Sequence, residues 1–299
     1  MLPMYIYYSM FGFQRVGDEI WAAADSRSRG FLLGATAGRT TLSGEGLQHE
    51  DGTSHLVAST IPNCRAYDPC FAYELAVILD DGMRRMLKEQ EDVFYYVTLM
   101  NESYAQPSIP ADAREGILRG MHKVRGAKGE GRDPKVRLLG AGTILNEVIA
   151  AAELLRKDWN VAADVFSVTS FTELRREGME QSRHSRLRQD HSEAGSGGSP
   201  ATDTWIAKQL PRNGLPVIAA SDYVSSVADL IRPWIADPYV ALGTDGFGRS
   251  DTRANLRRFF EVDRHSVVVA ALGSLKDPRA AEAMRRYGIE AQATPPWAR

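Results

Sequence analysis

One pattern recurs along this chain: a short run of β-branched and aromatic residues, then a stretch with helical spacing, then another run. GFLLGAT (30–36), VFYYVTLM (93–100), VRLLGAG (136–142), VAADVFSVTS (161–170), LPVIAAS (215–221) and YVALGTDG (239–246) all read as strands. Strands that alternate with helices specify a parallel sheet covered on both faces, so the expected class is α/β. YIYYSMF (5–11) is equally apolar and aromatic and predicts a buried strand at the very start. A domain seldom opens on its core strand, so we expect the chain to begin inside a domain.

The helical stretches carry their own signals. Val16, Ile20, Ala23 and Ala24 predict a helix over 13–28, with Gly30 as its stop. Asp68 followed by Pro69 predicts a helix start, and Ala72, Leu75, Ala76, Leu79, Met83 and Met86 mark its apolar face. Ile144 to Lys157 is amphipathic, FTELRREG opens another helix, and Ser221 or Asp222 is placed to cap a helix after LPVIAAS. Residues 101–110 are polar with two prolines, and GAKGEGRDP (126–134) is charged and rich in glycine. A second alternating series follows, which divides the chain into 1–109 and 110–299. QDHSEAGSGGSPATD (189–203) has the composition of a flexible insert within the second part.

Composition excludes some classes of function. Lys and Arg together (36) nearly balance Asp and Glu (38), so bulk charge favours neither nucleic acid nor a membrane surface. No apolar run approaches the roughly 18 residues of a membrane span, and the start is a poor signal peptide. Cys64 and Cys70 are the only cysteines, which excludes a disulfide framework, fits a reducing cytoplasm and predicts core packing for both.

The most chemically loaded stretch is SGEGLQHEDGTSH (43–55), with His49, His55, Glu45, Glu50 and Asp51 among glycines. Zinc signatures such as HExxH or CxxC are absent, so no metal site is expected in it. A histidine that titrates near neutrality, beside glycines that let backbone approach a ligand, suits an acid–base or substrate-binding loop; a solvated polar loop is the plain alternative. GTDGFGRSD (243–251) lies between strand and helix signals but lacks both GxxxxGK[ST] and GxGxxG. Asp251 is better read as a helix cap and Arg249 as an ion partner.

Five stretches together resemble one family: YIYYSMFGFQR, GRTTLSGEGLQHEDG, STIPNCRAYDP, SVTSFTELRR and GTDGFGRSDTRANLRRFFEVD. It is the homodimeric, bacterial-type pyruvate dehydrogenase, the thiamine-diphosphate-dependent component of the pyruvate dehydrogenase complex. The resemblance runs from residue 3 to about 290 and lapses between about 179 and 204. It implies the second half of a pyrimidine-binding middle domain (1–109), followed by a transketolase-type C-terminal domain (110–299). It also implies thiamine diphosphate and Mg²⁺ as cofactors, pyruvate as substrate, a lipoyl-bearing acetyltransferase as partner, and a cytoplasmic homodimer. The GDG…N signature that anchors Mg²⁺ and diphosphate is not in this sequence, and Asp245-Gly246 is not a version of it. The resemblance therefore also implies that the chain is a truncated copy, inactive when isolated.

By the same resemblance Tyr8 and Phe11 pack on the cofactor's aminopyrimidine, and His49 faces the substrate, with Glu45 as its orienting acid. His55 matches a substrate-binding histidine, whereas Thr53 stands where the family usually has another histidine. Three alternatives stay open: a 2-oxobutyrate enzyme, a transketolase-like transferase, and a non-catalytic fragment or interaction module.

Overall fold

The computed structural model describes residues 1–127, 131–187 and 203–299. The alternation yields two sheets. In the first, β1 (Met4–Tyr8), β2 (Phe31–Ala35), β3 (Cys64–Tyr67) and β4 (Phe94–Thr98) run parallel in the order β1-β2-β4-β3. In the second, β5 (His122–Arg125), β6 (Val136–Gly140), β7 (Ala163–Ser167), β8 (Val217–Ala220) and β9 (Tyr239–Leu242) take the order β5-β7-β6-β8-β9. All are parallel except the edge strand β5. Strands β4, β6 and β7 are buried at every position, as sheets covered by helices on both faces require.

Several expectations are corrected. β1 is an exposed edge strand, not a buried one: Ile6 is 62% and Tyr5 60% exposed, because only β2 flanks it. The helix expected over 13–28 is two helices, Ser9–Arg15 and Gly17–Asp25, broken where Val16 leaves helical dihedrals. Gly30 stops neither. It precedes β2, where a side chain would meet the Pro3 carbonyl at 2.9 Å.

The helix after Asp68-Pro69 starts only at Ala72 and runs to Met83. Glu74, not Asp68, holds its start, with Oε2 accepting from the amides of Cys70 (2.7 Å) and Phe71 (3.0 Å). Its buried positions are Glu74, Val77, Ile78, Asp81 and Gly82, while Ala72, Ala76 and Met83 are exposed. The apolar stripe misplaces the face because two carboxylates lie on the buried side with partners of their own.

The helix after β8 begins at Ser225, so Ser221 and Asp222 do not cap it. Thr252, not Asp251, caps the helix Arg253–Phe259. β3, β5 and the short helices Ser54–Ala58 and Ala113–Arg119 carried no sequence signal that we read. Cys64 and Cys70 are free and buried, as expected. The insert expected at 189–203 lies, but for Asp203, outside the described residues.

The two sheets meet through polar contacts at their strand ends. The Asp68 amide donates to the Thr169 carbonyl (2.7 Å), and the Ser170 and Thr172 hydroxyls donate to the Ala66 carbonyl (2.6 and 2.9 Å). The segment SVTSFTELRR therefore docks on the end of β3.

Candidate active site

Tyr8 ends β1, and Phe11 follows on the first turn of the next helix. The loop after β2 returns a 3-10 turn, Leu47–His49, against them. The His49 ring lies 5.5 Å from Tyr8 and 5.1 Å from Phe11, edge-on to Phe11. Tyr8 and Phe11 are 5.7 Å apart, and the Arg15 guanidinium lies 4.1 Å from the Phe11 centroid. Glu45 Oε2 is 2.9 Å from His49 Nδ1. A carboxylate only accepts, so Nδ1 carries the proton of that bond, and Nε2 is the nitrogen left for another group. Tyr8, Phe11, Glu45 and His49 thus form one cluster. It combines flat aromatic faces with an oriented, partly exposed imidazole, whose Nε2 can take up a proton and, once it carries one, donate to a developing oxyanion.

His55 stands apart from it. It lies on the helix Ser54–Ala58, buried, with Nε2 3.1 Å from Thr98 Oγ1 and its ring 4.7 Å from that of Tyr223. Burial pushes its pKa down to about 4, against a smaller opposing pull from Asp51, so it is neutral near pH 7. Thr53 precedes the same helix, whose start is held by Asp51 Oδ1 accepting from the Thr53 and Ser54 amides (both 3.0 Å).

Other residues around this loop went unrecognised in the sequence. Arg39 is buried, with Nη1 donating to the Gly246 carbonyl at 2.7 Å and also to that of Thr244. Glu50 is buried and accepts from the Arg249 amide. Burial raises its carboxyl to about 7, although the Arg249 amide and the nearby Arg39 charge pull the other way. Glu50 stood out only as one acid of the loaded loop and Asp222 only as a helix-cap candidate, because the contacts of Asp222 with this loop come from far along the chain. Among the described residues no group of three or more His, Cys, Asp or Glu side chains is placed to hold a metal. No described helix is long and apolar enough to cross a membrane.

Residues 1–107 match the family profile "Pyruvate dehydrogenase E1 component middle domain", and residues 120–263 match "Transketolase-like TK C-terminal domain". The chain is 56% identical over 297 residues to the pyruvate dehydrogenase E1 component of Pseudomonas aeruginosa, covering 97% of this chain and 33% of that one. It is 51% identical over 304 residues to the Escherichia coli protein of the same name, covering 99% and 33%. The chain therefore spans about a third of the length of the curated relatives it matches. Among solved structures, transketolase from Leishmania mexicana superposes with a TM-score of 0.67 at 17% identity, over 92% of this chain and 34% of that one. This last likeness shows the fold.

Proposed function

The chain belongs to the pyruvate dehydrogenase E1 family, and on that premise we propose that it carries the substrate-facing part of a thiamine-diphosphate site for pyruvate. The full reaction of this reading is oxidative decarboxylation with transfer of acetyl to a lipoyl domain. The observation that carries it is the cluster of Tyr8, Phe11, Glu45 and His49. Tyr8 is 41% exposed beside Phe11, an open aromatic surface of the kind that suits a flat heterocycle. When bound, thiamine diphosphate supplies the carbon nucleophile and the electron sink. The protein's part is to hold the ring between aromatic faces, exclude water, and present His49 to the pyruvate carboxylate and carbonyl. Glu45 fixes the His49 tautomer so that Nε2 meets substrate.

No set of residues for Mg²⁺ occurs among the described residues, so no step is assigned to the metal. Turnover is accordingly expected only where another polypeptide segment supplies the diphosphate anchor, and the isolated chain is expected to be inactive. His55, buried and neutral, belongs in this reading to the wall behind the substrate region. The division near 109/110 is part of the same proposal, although Ala113 and Ile117, which follow it in the chain, pack on the core of the first sheet.

The test is a chimera in which this chain replaces the matching third of the Pseudomonas aeruginosa relative. His49→Ala should lower turnover of pyruvate by about 10²–10⁴-fold while weakening cofactor affinity far less. Near-normal turnover in the variant would reduce the loop to a structural element. Activity with 2-oxobutyrate above that with pyruvate would move the substrate assignment to the longer acid.

A further inference from the structure

The loop that carries Glu45 and His49 leaves the first sheet, yet most of its backbone anchors come from the second sheet's domain. The carboxylate of Asp222, which follows β8 of the second sheet, is fully buried and receives three donors from the loop's root. These are the Thr40 amide on Oδ1 (2.8 Å), and the Thr41 amide (3.0 Å) and hydroxyl (2.6 Å) on Oδ2. The Arg39 amide donates to the Asp222 carbonyl at 3.2 Å. Gly38 makes this approach possible: its φ is +86°, and a side chain there would lie 2.2 Å from Asp222 Oδ2.

The loop's far end is fastened to the same body. Glu50 accepts from the Arg249 amide, and the Val224 amide donates to the Gly52 carbonyl at 3.0 Å. Midway, the Gly44 amide donates to the Asp251 carbonyl at 3.2 Å. Segments 222–224 and 248–251 therefore clamp both ends of a loop whose middle bears the imidazole.

We propose that Asp222 and Glu50 are positioning residues that set the geometry of His49, so that the second sheet's domain tunes a site to which it contributes none of the four clustered side chains. This rests on the reading of His49 given above, but it is measured on the chain alone. Three charge-assisted bonds converging on one buried carboxylate hold the 40–41 backbone, and the register of that backbone decides whether Glu45 and His49 meet.

The experiment compares Asp222→Asn and Glu50→Ala with the unaltered full chain, without substrate. Amide exchange at Thr40 and Thr41 reports the clamp, and the ¹⁵N signals of the His49 ring report its bond to Glu45. In Asp222→Asn we expect exchange at Thr40 or Thr41 to quicken by about tenfold or more, because one of the two acceptor oxygens becomes a donor. The Nδ1 signal should move toward that of an unbonded ring, with β4 and β6 amides unchanged. A folded Asp222→Asn chain with unaltered His49 signals overturns the proposal. If that variant does not fold, Glu50→Ala, which removes the acceptor for the Arg249 amide, reads the same ring from the loop's other end, and unaltered signals there overturn it equally. Failure of the pyruvate reading would leave these signals untouched, since no substrate enters the measurement.

Discussion

Asp68 shows how much of this molecule's behaviour turns on single buried carboxyls. Thr98 Oγ1 donates to its Oδ1 at 2.6 Å, while Oδ2 is buried with no hydrogen-bond partner among the described residues. Burial raises its pKa to about 8; the Thr98 bond opposes this, and the charges of Asp222, Asp51 and Glu74 add to it. An unfolded aspartate titrates near 4, so the folded chain keeps a proton that the unfolded chain releases over about pH 4 to 8. Its contribution to stability is therefore complete below about 4 and is lost as pH rises through about 8. Glu50, raised to about 7, acts in the same direction. His55, lowered to about 4, acts in the opposite one: its contribution is present above 6.5 and lost as pH falls through about 4. Asp68→Asn keeps the acceptor for Thr98 and removes the titration. It should flatten the loss of stability between pH 6 and 8, which can reach about 1.4 kcal/mol for each pH unit. Urea denaturation at stepped pH reads this, and an unchanged slope in the variant would sink it. None of this was legible locally, since Asp68 reads in sequence as an ordinary helix cap before proline. Glu45 and His49 stood out as part of a chemically loaded loop, but Tyr8 and Phe11 as their neighbours only through a resemblance, because no spacing rule brings residue 8 to residue 49. Asp222 was hidden further, being 182 positions from the Thr40 amide it binds.

At the scale of elements, the strands were legible because burial on both faces leaves a mostly apolar run, and the helix Ile144–Trp159 because one apolar face recurs at helical spacing. β3 (CRAY) and β5 (HKVR) were not, since four residues with interleaved cations carry no such run. The helix Ala72–Met83 was legible in place but not in orientation, and Glu74 explains why. Its Oε2 serves the helix start, and its Oε1 is 2.7 Å from Nε2 of His122 on β5, with both side chains buried. One residue thus caps a helix of the first sheet and ties it to the edge strand of the second. Glu74→Ala removes the acceptor from two amides and strands a buried imidazole, which should cost about 3–5 kcal/mol by analogy with broken buried pairs. Glu74→Gln, which keeps an acceptor, should cost markedly less. Guanidinium denaturation of both variants gives the comparison, and equal losses would mean that the site is held by shape instead of by these bonds.

For the whole molecule, the deciding feature is the uncovered side of the first sheet. β1 pairs only with β2, so its other edge offers unpaired backbone donors and acceptors. Met4, Tyr5, Ile6 and Tyr8 are exposed along it. An apolar groove formed by Pro3, Tyr5, Ile20, Phe31, Leu32 and Phe94 continues that surface. Parallel sheets are normally covered on both faces, and an open, flat, apolar edge invites pairing with another chain. Among the described residues the second sheet has no comparable apolar exposure: its edge strands β5 and β9 carry no exposed large apolar side chain, and β6, β7 and β8 are wholly buried. The chain is therefore expected to self-associate on concentration, and to do so through β1. Light scattering over a dilution series should show mass rising with concentration. Ile6→Lys, which places a charge on a residue already 62% exposed, should suppress that rise with little change in melting temperature. A piece beginning near residue 120 lacks β1 altogether and should scatter less at equal molarity. A full chain that stays monomeric at every concentration, with or without Ile6→Lys, would mean that the β1 edge is satisfied within the single chain and that the exposed aromatics are not an association surface.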